Sequence, residues 1–393
     1  MTSKERMLIA MKGGQPDCVP VAPDISNMIP CRLTGKPFWD IYLYQDPPRW
    51  QAYINAVEYF GFDGWLESVP IQFDYEMEES ENAPRWQEAI VGRTPERIYT
   101  RYHTTIDGVE RWSNYCTVYY IDNPPTHGLA LSQVGLSESA PTEWEDVQPR
   151  TSNIRFDFSL PNRNRNKYQG LEAYYKAREL MGDDGVVGIA VGLPGLNLRD
   201  TESIYEYYDN RERVIARCEQ TGKHIVRRTH EIVKLKPDFV LIGMSGHMIS
   251  NPEPIFRELS LPTLKEVTDI CQEAGAPSQI HCCGPEYDLV RISAEETKLS
   301  SINPLEHRPM GDCDLKKVKR KFGDKISLMG NLHTTDVMLR GAKKDVERAS
   351  KLAIDDAAEG GGFILSTGDQ CGRDTPDENI FTMIEVARSY GKY

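Results

Sequence analysis

Residues 237–281 contain the pattern that decides the fold. Pro237-Asp238-Phe239-Val240-Leu241-Ile242 is an apolar run of the length of a strand. Apolar residues at helical spacing come next and end before Gly275, namely Leu264, Val267, Ile270 and Cys271. A second short run, Gln279-Ile280-His281, follows that helix. A strand, a helix and a strand in this order are the repeating unit of α/β folds with a parallel sheet.

The same alternation extends in both directions along the chain. Eight runs of strand length are predicted from Cys18 onward, mostly with helical segments between them: 18–23, 65–71, 186–191, 237–242, the run that contains His281, 299–303, 326–329 and 363–365. Eight such repeats predict a (β/α)8 barrel. An open doubly wound sheet is the alternative, but no Gly-x-Gly-x-x-Gly turn follows the first strand.

Two segments fall outside this alternation. Residues 2–14 predict a short N-terminal helix that begins at Ser3 as its cap. Between about 72 and 150, two stretches rich in β-forming residues, 97–103 and 115–121, flank the turn sequence Asp107-Gly108. We therefore expect one barrel over residues 1–393, with an N-terminal helical extension and an inserted antiparallel β excursion.

The composition limits the class of protein. The 393 residues include 39% apolar and 27% charged residues, which is typical of a globular protein with a large core. A net charge of −13 disfavours a nucleic acid or an anionic membrane as partner. No apolar run is long enough to cross a membrane, and no basic-then-apolar leader is present, so we expect a cytoplasmic location. The nine cysteines are expected to be buried thiols or metal ligands.

Polar side chains follow most of the predicted strands. The active site of a (β/α)8 barrel forms at the carboxyl ends of its strands, so these side chains are expected to share one rim. They are Asp24 to Asn27, Ser245 and His247, His281 and Cys283, Glu306 and His307, Asn331 and His333, and Asp369 to Cys371. So many polar groups at one rim indicate an enzyme.

His281 and Cys283 are the first candidates for metal ligands. Alternate side chains of a strand share a face, so this imidazole and this thiol point the same way while Cys282 points the other way. Both are ligand types that zinc favours. Cys371 is the third candidate and Glu306 a possible fourth, and a site with three protein ligands keeps one position open for catalysis.

Other assignments remain open at this level. Glu286 and His307 are rival ligands, and Asp369 competes with Cys371. A hydrolytic set can also be assembled from Ser245, His247 and Asp24, although no spacing favours it.

Four stretches of the chain carry a family resemblance. They are Lys4-Glu5-Arg6 with Pro16-Asp17 and Val19-Pro20-Val21; Phe256-Arg257-Glu258-Leu259 with His281-x-Cys283-Gly284; Leu328-Met329-Gly330-Asn331; and Gly362 to Gly368 with Asp374-Thr375-Pro376. They resemble the uroporphyrinogen decarboxylase superfamily along nearly the whole chain, most strongly after residue 250. Within it, the chain is similar to the zinc-dependent methyltransferases that work with corrinoid proteins. It lacks the Arg-Gln-Ala-Gly-Arg stretch with which the decarboxylases bind substrate carboxylates.

The resemblance implies a zinc ion held by a His-x-Cys pair and a distal cysteine, here His281, Cys283 and Cys371. In many relatives the distal cysteine directly follows the glycine that ends the last strand. That place is taken here by Asp369, and Cys371 comes two residues later. A thiolate suits zinc at least as well as a carboxylate, which favours Cys371. Glu306 corresponds to the acidic residue after the sixth strand.

The resemblance also implies methyl transfer between a small substrate and the cobalt of a corrinoid. Zinc would stabilise the negative charge that develops on the substrate heteroatom. Demethylation of an aryl methyl ether is favoured. The chain has no Asp-x-His-x-x-Gly corrinoid motif, so the corrinoid (a cobalamin) is expected on a partner protein. We expect Glu306 and Asn331 to act in catalysis, and a set of four to bind substrate: Asp24, Asn27, His247 and His333.

Three alternatives remain at this level. The same zinc site would serve a methylcobalamin:thiol methyltransferase, in which a thiol accepts the methyl group. A metal-free decarboxylase acting on a tetrapyrrole is the second. The third is a non-catalytic module that binds a corrinoid or a tetrapyrrole.

Overall fold

The structure, a computed structural model, describes residues 1–79, 86–137, 168, 170–197 and 201–393. They belong to two compact units. The first unit contains residues 1–26, 54–70 and 174–393, and the second contains residues 27–53 and 71–173 as far as they are described. Whether barrel and insertion form one domain stays a prediction.

The first unit contains a parallel sheet of seven strands, in the order β1-β7-β8-β9-β10-β11-β12. Strands are numbered along the whole chain, and β2 to β6 belong to the second unit. The seven strands are β1 (Gly64–Leu66), β7 (Gly185–Val191), β8 (Phe239–Gly243), β9 (Ser278–His281), β10 (Ser301–Asn303), β11 (Ser327–Leu332) and β12 (Phe363–Thr367). Nearly all their residues are buried, as expected for parallel strands covered on both faces.

Residues 20–22 connect the two edges of this sheet. Val21 forms a parallel bridge with Leu365 of β12, and Leu365 N donates to Pro20 O at 2.9 Å. On the other side, Asp63 N, next to β1, donates to Val21 O at 2.9 Å. The predicted first strand is therefore reduced to a bridge, because prolines 20 and 23 have no N–H with which to extend a ladder. Seven strands and this bridge confirm the predicted (β/α)8 architecture.

Helices cover the strands in the expected alternation. Those with residues in the first unit are Ser3–Met11, Arg49–Phe60, Gly170–Met181, Thr201–Asp209, Arg211–Lys234, His247–Ser250, Glu253–Leu259, Leu261–Glu273, Tyr287–Glu296, Leu315–Phe322, the π-helix Thr334–Leu339, Lys343–Ala357 and Asp377–Tyr390. None of the helices in the described ranges has the length and apolar content required to span a bilayer.

The N-terminal helix begins one residue earlier than its predicted cap. Thr2, not Ser3, is the N-cap: its hydroxyl accepts from Glu5 N at 3.2 Å, while the Glu5 carboxylate accepts from Thr2 N at 2.9 Å. This reciprocal pair is a capping box, which Ser3 cannot form. Apolar residues of the helix, including Met7 and Met11, pack against Trp65, Phe239 and Met329 of the sheet.

The second unit is built on an antiparallel sheet of five strands, in the order β2-β3-β5-β6 with β4 beside β3. The strands are β2 (Gln87–Arg93), β3 (Arg97–Ile106), β4 (Val109–Trp112), β5 (Tyr115–Tyr120) and β6 (Thr126–Ala130). The helices are Met28–Leu33, Phe38–Tyr42, Asp74–Glu79 and Leu131–Val134. The predicted segments 97–103 and 115–121 pair as β3 and β5. Asp107-Gly108 forms the turn between β3 and β4, and residues 138–150 of the predicted excursion lie outside the described residues.

Candidate metal centre

His281, Cys283 and Asp369 bring three ligand atoms together at the carboxyl end of the sheet. His281 Nε2 lies 3.4 Å from Cys283 Sγ and 3.8 Å from Asp369 Oδ1. All three ligand atoms lie within 4.8 Å of one another, and no other such group of His, Cys, Asp or Glu is found in the described residues. His281 is buried, whereas the other two are partly exposed. The group is therefore reachable from solvent.

Strand geometry explains the pairing of His281 with Cys283. His281 ends β9, and Cys283 follows two residues later on the same face, while Cys282 is fully buried on the other side. Asp369 follows β12, which is three places from β9 in the sheet. Three strand spacings correspond to about 14 Å in a flat sheet. Asp369 and His281 meet only because the sheet curls.

Asp369 is held in an unusual backbone conformation. Its φ is 93°, a region that residues with a Cβ rarely adopt. Thr367 Oγ1 donates to Asp369 O at 2.8 Å, and Gly368 N donates to Leu332 O at 2.7 Å. Backbone strain of this kind is concentrated at functional sites. Here it aims a carboxylate at His281.

Cys371, the expected distal ligand, lies outside this group, and its rival Asp369 takes that place. Cys371 N donates to Asp24 O at 2.8 Å, and its fully buried thiol lies beside Thr367. Burial raises the pKa of this thiol to about 12. The two-residue offset turns the side chain inward instead of toward His281. The geometry therefore favours Asp369 over Cys371 as the distal ligand.

The donor set fits a divalent cation of the zinc type. Imidazole nitrogen, thiol sulfur and carboxylate oxygen are the atoms that zinc binds. Burial raises the pKa of the Cys283 thiol, and the neighbouring Asp369 carboxylate raises it further. The thiol alone therefore holds its proton, and a cation is needed to stabilise the thiolate. The other ring nitrogen of His281, Nδ1, is buried without a hydrogen-bond partner in the described part of the chain.

Glu306 shapes the turn that carries Cys283. Its Oε2 accepts from Gly284 N at 2.6 Å, and Gly284 has a φ of 96°, which favours glycine. Burial raises the pKa of Glu306. Glu286, the rival ligand, is fully buried and accepts from Leu305 N at 2.7 Å. Its carboxyl group is therefore engaged in the loop after β10.

Asn331 lies in β11 and His333 directly follows it, and both support neighbouring loops. Asn331 Nδ2 donates to Leu305 O at 2.9 Å. His333 Nδ1 accepts from Thr335 N at 3.2 Å and from Asp336 N at 3.0 Å, which caps the π-helix. The remaining rival, His307, lies near both, and burial lowers its pKa.

The other candidates have clear local partners. Asp24 is buried, and its Oδ1 accepts from Ser26 N at 3.0 Å; burial raises its pKa, and the nearby His281 opposes that shift. Asn27 belongs to the second unit, where its Oδ1 accepts from Arg49 at 2.6 Å.

His247 has a packing role. Ser260 Oγ donates to Pro194 O at 2.6 Å, so the hydroxyl accepts from His247 Nε2 at 2.8 Å. Ser245, also considered for hydrolysis, lies instead 3.5 Å from the Cys283 thiol, which donates to it. This contact crosses from β8 to β9, and no pattern along the sequence announces it.

Fold and site define a (β/α)8 protein with a candidate metal centre at the carboxyl ends of its strands. Residues 199–390 match the family described as Uroporphyrinogen decarboxylase (URO-D). That match confirms the superfamily expected from the motifs. No significant match to a curated protein sequence is found.

Two solved structures resemble this one over nearly their full length. A methyltransferase from Methanosarcina mazei has a TM-score of 0.62 and 16% sequence identity, covering 99% of both chains. A B12-independent methionine synthase from Shewanella sp. W3-18-1 has a TM-score of 0.42 and 12% identity, covering 95% of this chain and 98% of its own. The first likeness supports the fold, and the second is too distant to support an argument.

Proposed function

We propose that the protein is a zinc-dependent methyltransferase that moves a methyl group from an aryl methyl ether to a corrinoid carried by a partner protein. The observation that carries this proposal is the convergence of His281, Cys283 and Asp369 from two distant parts of the chain. The superfamily match over residues 199–390 supports an enzymatic role. The protein from Methanosarcina mazei that shares the fold is a methyltransferase, which agrees with this proposal.

A phenolate is a poor leaving group, so the reaction needs positive charge near the ether oxygen. Zinc at this site would supply that charge as a Lewis acid. His281 and Asp369 offer a nitrogen and an oxygen to hold the ion, and Cys283 offers a sulfur once its thiol has lost its proton. In the balanced step the bond from oxygen to methyl breaks, the methyl group passes to the reduced corrinoid, and the phenolate takes up one proton.

In this proposal Glu306 donates that proton. One carboxyl oxygen holds Gly284 N, and the residue also lines a small recess beside the site. Burial raises the pKa of Glu306, which favours the protonated carboxyl group relative to that of an exposed glutamate. A proton on the second oxygen can pass to the leaving phenolate. Asn331 lines the same recess and orients the loop at Leu305.

The test combines metal analysis with a spectral assay. The purified chain should contain about one zinc ion, and methoxyarenes with a reduced corrinoid protein should change the cobalt absorbance. Cys283→Ala should lose both zinc and methyl transfer. Cys116→Ala, which removes a buried thiol of the second unit, should keep both. Decarboxylation without zinc, or corrinoid binding without turnover, would contradict the proposal.

A further inference from the structure

Positive charge is concentrated on the helix that follows β10, in a chain whose net charge is −13. Residues 307–325 contain seven Lys or Arg and only three Asp. The helix Leu315–Phe322 buries Leu315, Val318 and Phe322, so its other side faces solvent. That exposed side carries four cations, which we call the cationic face: Lys316, Lys317, Arg320 and Lys321.

Carboxylates of the described residues leave most of the cationic face unpaired. Lys316 pairs with Asp356 at 3.4 Å. The ammonium groups of Lys317 and Lys321 lie over the ring of Tyr287 instead, at 4.7 and 5.8 Å from its centre. Arg320 is exposed and has neither an ion pair nor a hydrogen bond with a described residue. Three of the four cations can therefore meet the carboxylates of a partner.

The two carboxylates that precede this helix are held by the backbone. Asp312 accepts from the N–H groups of Glu286 and Tyr287 at 2.8 and 2.9 Å. Asp314 caps the helix by accepting from Lys317 N at 2.8 Å. Both fix the start of the helix without forming an ion pair with the cationic face.

The cationic face begins beside the candidate metal centre. Residues 306–313 form a compact loop, in which Cys313 N donates to Glu306 O at 3.0 Å. The helix begins two residues after Cys313. Glu306 also accepts from Gly284 N at 2.6 Å, and Gly284 directly follows Cys283. One loop therefore joins the first turn of the helix to a candidate metal ligand.

Two exposed apolar side chains flank the turn at Gly284. Met310 is 62% exposed and Ile249 is 55% exposed. A Cβ added to Gly284 would lie 3.3 Å from the side chain of Ile249, and Gly311, next to Met310, packs against the Gly284 carbonyl oxygen. Exposed apolar side chains next to a charged surface are typical of protein interfaces, in which Met is enriched.

We propose that the corrinoid protein binds this surface through an acidic patch that adjoins apolar side chains. Its carboxylates pair with the cationic face, and its apolar side chains cover Met310 and Ile249. Direct methyl transfer requires the reacting atoms to approach within about 3–3.5 Å, so a protein-bound corrinoid must reach the carboxyl end of the sheet. This inference rests on the proposed function and adds to it the binding surface and the charge of the partner.

A nucleic acid or an anionic membrane suits the cationic face less well than an acidic protein. The helix has eight residues and is about 12 Å long, which matches a compact group of carboxylates. An extended polyanion would also meet the rest of the chain, which is strongly acidic because the whole has a net charge of −13.

The test compares two methyl acceptors with an aryl methyl ether as the donor. They are the reduced corrinoid protein and free reduced cobalamin, which has no protein surface. Lys317→Glu with Arg320→Glu reverses two charges of the cationic face. At low ionic strength this double variant should raise the KM for the corrinoid protein about tenfold or more and leave transfer to free cobalamin unchanged.

A charge-matched control separates the cationic face from the net charge. Lys12→Glu with Lys223→Glu makes the same change in charge at two exposed residues outside this surface. The control should behave as the unmodified chain with both acceptors. An unchanged KM in the Lys317→Glu, Arg320→Glu variant, or an equal rise in the control, would overturn the inference.

Salt gives a second measurement of the same contact. Exposed charges are screened beyond about 10 Å at 0.1 M salt and beyond about 3 Å at 1 M. The KM of the unmodified chain for the corrinoid protein should therefore rise with salt, while that of the double variant should change little. If duplex DNA or phosphatidylserine vesicles bind the unmodified chain more tightly than the corrinoid protein does, and the double variant loses that binding, the assignment to a protein is wrong.

Ile249→Ser tests the apolar part of the surface. It should raise the KM for the corrinoid protein about fivefold or more and leave transfer to free cobalamin unaffected. Leu180→Ser, at a residue that is 42% exposed on the helix Gly170–Met181, is the control and should change neither. An equal loss with both acceptors would place Ile249 in the reaction site instead of the interface.

The two proposals fail in different ways. If both acceptors are methylated while the charge-reversed variant behaves as the unmodified chain, only the binding surface is wrong. If neither acceptor is methylated, the proposed function is wrong, and the inference that rests on it is wrong as well.

Discussion

Asp369 tests the metal centre at the scale of one residue. Its carboxylate is 3.8 Å from His281 Nε2, and its φ of 93° suits glycine better than aspartate. Asp369→Gly should therefore remove a ligand without straining the loop, and zinc affinity should fall by about 100-fold or more, as measured by competition with a chelator. Cys371→Ser should stay within a few-fold of the unmodified chain. A larger loss of zinc affinity in Cys371→Ser than in Asp369→Gly would identify Cys371 as the distal ligand instead.

His247 should make stability depend on pH. Burial lowers the pKa of His247 to about 4, from an ordinary value of 6.5. Between pH 6.5 and 4, His247 is therefore protonated in the unfolded chain but neutral in the folded chain. The contribution of neutral, buried His247 to the free energy of unfolding is fully present above pH 6.5. It is lost as the pH falls to about 4, and the loss amounts to at most about 3 kcal/mol.

Urea unfolding of the unmodified chain and of His247→Asn, compared across this pH range, checks that expectation. The variant should be less stable at pH 7, because Ser260 loses its imidazole partner. The difference between the two proteins should shrink toward pH 4. A constant difference would mean that His247 does not titrate in this interval.

Some features of the site could be predicted from the sequence at the level of single residues, and others could not. The shared face of His281 and Cys283 follows from the two-residue period of a strand, so it could be predicted. The choice between Asp369 and Cys371 depends on the path of a loop with one left-handed residue. The regular side-chain spacing of strands and helices does not extend to such a loop, so the sequence pattern could not predict its path. The hydrogen bond of His247 to Ser260 likewise depends on how a short helix packs.

Asp63 contacts the N-terminal helix, the C-terminal helix and the segment at residues 20–22 that closes the sheet. Its substitution therefore tests how that closure is stabilised. Its carboxylate accepts from Arg6 at 2.7 Å, from Arg388 at 2.9 and 3.0 Å, and from Val21 N at 2.8 Å. It is fully buried. Asp63→Ala leaves two guanidinium groups and an amide without their acceptor, so we expect a loss of about 3–5 kcal/mol in the free energy of unfolding.

Asp17→Ala is the matched control for Asp63→Ala. Asp17 also pairs with Arg6, at 2.7 Å, but its side chain is 44% exposed. An exposed pair contributes about 1 kcal/mol or less. Urea denaturation measures both variants. Equal losses would show that the Asp63 carboxylate does not hold the closing segment at residues 20–22.

The elements themselves were largely predictable because their period and length are local properties. All eight predicted strand positions carry a strand or, at residues 20–22, a bridge. The ends were harder to place. The second strand was predicted over 65–71 but is only Gly64–Leu66, because pairing with β7 ends there. Where a strand stops depends on its neighbour and not on its own composition.

A metal ion at the proposed centre would link the site to the stability of the folded molecule. His281 ends β9 and Asp369 follows β12, so an ion held by both joins strands that do not pair with each other. The unfolded chain lacks this arrangement, and binding therefore stabilises the folded state in proportion to affinity. Free zinc at 100 times its dissociation constant should add about 2.7 kcal/mol. The unfolding midpoint should rise with zinc and fall with a chelator. Magnesium, which prefers oxygen ligands, should not replace zinc, and Asp369→Gly should abolish the shift. An equal rise in Asp369→Gly would place the stabilising ion elsewhere in the molecule.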